Sequence, residues 1–137
     1  MPNDLEDPPY FEPDAELDDL AKRVIGAAIE VHRGTGPGLD EASYEEALAI
    51  EMNLQGIPFK RQVLCPVMYK GQQVGWRRVD FIVGGRLVVE LKAIEQIAKV
   101  HLAQVRTYLK LTALTLGLLF NFNTAVLKDG MKRVICA

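Results

Sequence analysis

Three ionisable residues stand among side chains that a folded protein would ordinarily bury. Asp80, Glu90 and Lys92 lie in the segment Val79-Asp80-Phe81-Ile82-Val83-Gly84-Gly85-Arg86-Leu87-Val88-Val89-Glu90-Leu91-Lys92, most of which is aliphatic. Burying a charge costs several kcal/mol unless it is paired or coordinated, so these residues need a reason to be there. Two carboxylates side by side repel, and a divalent cation relieves that repulsion. An all-oxygen donor set suits Mg²⁺ or Mn²⁺ better than softer metals. Such an ion polarises a phosphate and acidifies a bound water, while a nearby lysine orients that water or offsets developing negative charge. The competing explanation is a buried Asp–Lys–Glu ion-pair network.

Strand geometry decides whether the three can meet. Glu90 and Lys92 are two residues apart, so in a strand they leave the same face. A two-residue turn after Val83 would put Asp80 on the opposite face. A three-residue loop, Gly84-Gly85-Arg86, pairs Val83 with Leu87 and sets Asp80 across from Glu90. Two glycines suit the left-handed positions of such a loop, which is the expected connection. Val79, Phe81, Val83, Leu87, Val89 and Leu91 then fill the other face. Arg78 falls across from Lys92, near where a phosphate would sit, and Trp76 shares the Asp80 face.

The elements that must hold these strands can be placed from periodicity. Leu20, Val24, Ala27, Ala28 and Val31 recur at helical spacing from about Asp18, and Gly34-Thr35-Gly36-Pro37-Gly38 stops the helix. A second helix spans about 39–54. Strands are expected at 59–69, 73–83 and 86–92, a helix at 98–112 and a buried strand at 114–122. A hairpin turning at Asp129-Gly130 follows, with a last strand at 131–135. The helix at 98–112 can carry the chain to a parallel neighbour, so the expected architecture is α/β with a mixed sheet.

Charge and composition bound the function class. The net charge of −2 conceals a division: residues 1–19 hold eight acids and no Lys or Arg, leaving the remainder formally +6. An acidic, disordered tail at 1–17 followed by one domain at 18–137 is the expected organisation. No apolar run is long enough to span a membrane, and the first residues lack a secretory pattern. Cys65 and Cys136 are far apart, which excludes a zinc ribbon and suits reduced thiols in the cytoplasm.

Asp80 followed after a hairpin by Glu90-Leu91-Lys92 resembles the D…(D/E)-x-K core of the PD-(D/E)XK nuclease superfamily, with Val79 in place of the usual proline. Gly38-Leu39-Asp40-Glu41-Ala42-Ser43-Tyr44 resembles the signature of small bacterial GxxExxY proteins grouped with that superfamily. Gln104-Val105-Arg106-Thr107-Tyr108 is similar to the Q-x-x-x-Y motif of RecB-like members. The resemblance covers about residues 20–135 and implies a restriction-endonuclease-like core. It further implies a Mg²⁺- or Mn²⁺-dependent nuclease acting on DNA in preference to RNA. Glu41, Asp80, Glu90 and Lys92 form the implied catalytic set, with Glu45 second choice for the Glu41 role. Asp80, Glu90, Leu91 and Glu41 form the implied metal set; Gln104, Tyr108, Arg78 and Tyr44 would contact substrate. A homodimer or a protein partner is also expected, because so small a core offers little surface for gripping nucleic acid. A non-catalytic binding module that keeps the fold is the second expectation.

Overall fold

The computed structural model describes residues 12–136. Helix α1 runs from Ala15 to Thr35 and α2 from Glu41 to Leu54. Strands β1 (Phe59–Tyr69), β2 (Gln72–Val83) and β3 (Leu87–Lys92) follow. Then come α3 (Lys99–Thr112), β4 (Leu116–Asn121), a 3₁₀ turn at Leu127–Gly130 and β5 (Met131–Ile135). The five strands form one sheet in chain order. All neighbours are antiparallel except β3 and β4, which α3 connects in parallel. The mixed α/β sheet expected from the sequence is therefore present.

Each helix buries one stripe. Leu17, Ala21, Val24, Ala28 and Val31 of α1 repeat at three- and four-residue spacing and pack with Leu48 and Met52 of α2 on one sheet face. Val105, Tyr108 and Leu109 of α3 cover the other face, against Val88 and Leu119. The first helix begins at Ala15, three residues before the expected start. Asp14 caps it by accepting the Leu17 amide at 2.8 Å, and Leu17 is buried. The acidic tail expected at 1–17 thus gives way to helix by Ala15, and residues 1–11 lie outside the described residues. The hairpin expected at Asp129-Gly130 is instead the end of the 3₁₀ turn. A Cβ on Gly130 would collide with the Asn121 carbonyl.

One aromatic contact sets the position of α2. Tyr44 is fully buried and stacks on Phe122 just beyond β4, ring centroids 4.5 Å apart. Its hydroxyl donates to the Gly36 carbonyl at 2.6 Å and accepts the Leu39 amide at 3.1 Å, tying the interhelical turn to the core. The motif reading gave Tyr44 a contact with substrate; in the structure its ring is buried and its hydroxyl is spent on two backbone groups of the interhelical turn. Tyr44→Phe keeps the ring stack but removes both hydrogen bonds. It is expected to lower the unfolding free energy by about 1–3 kcal/mol, measured by urea denaturation.

Candidate active site

The loop between β2 and β3 has the three-residue form: Val83 pairs with Leu87, and Gly84 and Gly85 take φ of 59° and 69°. That register directs Asp80 toward Glu90. The ladder stops, however, at Phe81–Val89, and the strands part beyond it. Arg78 consequently has no partner on β3 and does not lie across from Lys92; its ladder partner is Leu64, on the other edge of β2. The chain also changes face at this point. Phe81 packs on the α1–α2 side, whereas Val79, two residues earlier, packs on the α3 side and not with the other five expected core residues. Gln62, opposite Asp80 in the β1–β2 register, adopts φ 51°, a local irregularity that reorients both strands.

Asp80 fills the gap so opened. Its carboxylate accepts the Leu91 amide at 2.8 Å, a group the β2 backbone no longer reaches. The N–H and C=O of one strand residue leave by the same edge, so the Leu91 carbonyl faces the same gap while its side chain stays in the core. Glu90 is 4% exposed, and its Oε1 is buried with no hydrogen-bond partner. Its Oε2 lies 3.5 Å from Lys92 Nζ, longer than a well-made charge-assisted bond. That pairing does not offset burial and the neighbouring Asp80 charge, and the Glu90 carboxyl is pushed up to about 8. Burial also raises Asp80. Glu41, on the first turn of α2, is raised by partial burial and then by Asp80.

The flanking residues take assigned places. Glu45 is neither a solvated acid nor free for a site role. It accepts two hydrogen bonds from Arg61, at 2.9 and 3.1 Å, and one from Gln62 at 2.5 Å. Glu46 takes a further bond from Arg61, so α2 is clamped to β1 beside Phe81. Gln104 donates to the Tyr108 hydroxyl at 2.9 Å. Tyr108 is buried, and desolvation, then the Glu90 and Asp80 charges, push its hydroxyl up to about 12. Neither Gln104 nor Tyr108 has a hydrogen bond to Lys92. Sequence reasoning missed Asn121. This buried amide exchanges hydrogen bonds with Ile94 N and O at 3.0 and 2.9 Å, while Phe122 N donates to Lys92 O. Together they fix the chain immediately after Lys92. The available signal was one amide within the otherwise apolar run Leu116–Phe122.

The family model of the PD-(D/E)XK nuclease superfamily matches residues 18–134, almost the whole described chain. The chain belongs to this superfamily. Its five-stranded mixed sheet flanked by three helices is the restriction-endonuclease-like α/β fold. None of the curated proteins matches it. Members of this superfamily generally use divalent metals such as Mg²⁺. Among the described residues no three acidic, His or Cys side chains converge into a metal cage. The chemistry of the donors nevertheless fits a hard cation. The Glu90 oxygen without a hydrogen-bond partner, the Asp80 and Glu41 carboxyls, all three groups raised chiefly by burial, and the Leu91 carbonyl make an all-oxygen donor set whose negative charge Lys92 alone does not offset.

The same burial makes stability pH-dependent. Folded Glu90 holds its proton up to about 8, whereas the unfolded residue releases it near 4.5. Between those values the native state binds more protons than the unfolded one, so stability falls as pH rises. Urea denaturation in chelator from pH 5 to 8 is expected to show that decline, and Glu90→Gln to flatten it.

Proposed function

We propose that this superfamily member is a Mg²⁺- or Mn²⁺-dependent nuclease that hydrolyses phosphodiester bonds of DNA in preference to RNA, and that it groups with the small GxxExxY proteins. The observation that carries the reading is the unpartnered, buried Glu90 oxygen beside Asp80 and Lys92 at the point where β2 and β3 part. Asp80, Glu90 and Glu41, with the Leu91 carbonyl, would hold the cation. When bound, that cation polarises the phosphate and acidifies an attacking water. Lys92, whose side chain is 15% exposed, places an ammonium at the rim of the gap, where it stabilises charge developing on the phosphate. Burial, then the nearby Glu90 and Asp80 charges, keep the Tyr108 hydroxyl protonated across the physiological range. Cys65 and Cys136 are free thiols, which supports a reducing compartment, the cytoplasm.

A second reading, a nucleic-acid-binding subunit without catalysis, is favoured by one observation: the carboxylates do not converge into a cage. Cleavage of labelled DNA and RNA separates the two. With Mg²⁺ or Mn²⁺ the wild type is expected to cut DNA, and chelator to stop it. Asp80→Ala and Lys92→Ala are expected to lose activity by a factor on the order of a hundred or more while remaining folded by circular dichroism. Wild-type activity in either variant overturns the catalytic assignment, and metal-independent binding without cutting supports the subunit.

A further inference from the structure

Beyond the end of the β3 ladder, β1 and β2 continue as a two-stranded arm with one apolar face uncovered. Val63, Cys65 and Val79 pack toward α3, so the alternate residues of the same ladder point to the α1–α2 side of the sheet. These are Leu64, Pro66 and Met68 on β1, with Arg78 and Trp76 opposite the first two. Leu64, Met68 and Trp76 are exposed at 55%, 54% and 55%. Apolar side chains gathered on one exposed face mark an interaction surface.

Charge narrows what fits there. Residues 59–79 carry Lys60, Arg61, Lys70, Arg77 and Arg78 and no acid. Arg61 answers Glu45 and Glu46 of α2. Arg78, on the apolar face, and Lys70, at the tip of the arm, pair with no described acid. A second copy stacking this face on itself would bring two such arms together, like charge on like. The complement is instead an acidic segment with apolar side chains, and the chain contains one. Residues 1–11, outside the described residues, hold Asp4, Glu6 and Asp7, no Lys or Arg, and Leu5, Tyr10 and Phe11.

The point of attachment also fits. The chain enters α1 at Asp14, which binds Arg86 just past the end of β2. From Val83 back to Trp76 along β2 is seven strand steps, about 23 Å. Residues 1–11, fully extended, span about 36 Å, enough to reach the arm with length left to pass α2.

We propose that residues 1–11 pack in cis on the α1–α2 side of the β1–β2 arm. Their apolar side chains lie against Leu64, Pro66, Met68 and Trp76, and their acids face Arg78 and Lys70. This packing needs neither metal nor substrate, so it stands or falls separately from the nuclease reading.

Trp76 is the chain's only tryptophan, so its fluorescence reports on this face alone. The test is acrylamide quenching of the full-length protein at low salt in chelator, where the wild type is expected to show a shielded indole. Two full-length variants are compared with it by quenching, with circular dichroism to check the fold. One combines Asp4→Lys, Glu6→Lys and Asp7→Lys; the other combines Leu5→Ser, Tyr10→Ser and Phe11→Ser. Each is expected to raise the quenching constant about twofold, because an indole otherwise half exposed loses its cover. Glu30→Lys, on the exposed side of α1, is the control and should quench as wild type. Equal quenching in the wild type and both variants overturns the proposal. Protection that grows with protein concentration assigns the cover to a second copy and overturns packing in cis.

Discussion

The carboxylate of Asp80 takes over a role that a strand neighbour would normally fill. By accepting the Leu91 amide it caps the last usable position of β3 after the β2 backbone has turned away. Without an acceptor there, a buried N–H would be orphaned, which costs about 1–3 kcal/mol. With it, the sheet can stay open beside Glu90, and the gap remains lined by oxygen atoms instead of closing into another rung of the ladder. The geometry of the site thus follows from an early end to strand pairing. Gln62 imposes the matching irregularity from the β1 side.

What holds α2 over that gap is a division of labour between packing and charge. The Arg61 bridges to Glu45 and Glu46 are partly exposed, and pairs of that kind contribute about 0–1 kcal/mol. The stacked Tyr44–Phe122 pair and the buried α2 stripe carry the stability instead. The guanidinium fork contributes orientation: it fixes the rotation of α2 about its axis, and with it the direction in which Glu41 projects. Glu41 comes near enough to feel Asp80 and Lys92 without touching either.

The architecture was legible because its signals are local. Alternation across Val79–Lys92, two glycines in the turn and helical spacing in α1 sufficed for those elements and for the three-residue loop. The relation of Glu90 to Lys92 followed from a period of two. What the residues alone did not show depends on contacts distant in sequence. Tyr44 carries a motif position but is consumed by Gly36, Leu39 and Phe122. Glu45 is taken by Arg61 and Gln62, sixteen and seventeen residues away. Regular alternation also misplaced Val79, since no pattern in the sequence marks a strand that changes face. Arg78 was misjudged for the same reason: it was paired on a ladder assumed to continue.

The parallel pairing of β3 with β4 has a consequence for how the protein is made. Residues 59–92 can zip into a meander from hairpin contacts alone, but β3 then has an open edge where Glu90 pairs with Leu119 and Lys92 with Asn121. That edge closes only after α3 has formed and carried the chain back, and His32 reaches Thr124 across 92 residues only later still. Such non-local closures are the slow part of folding. On the ribosome, a nascent chain that has just passed Lys92 already contains Glu41, Asp80 and Glu90 but lacks the elements that complete their burial. The buried environment is acquired last, with the C-terminal third of the polypeptide.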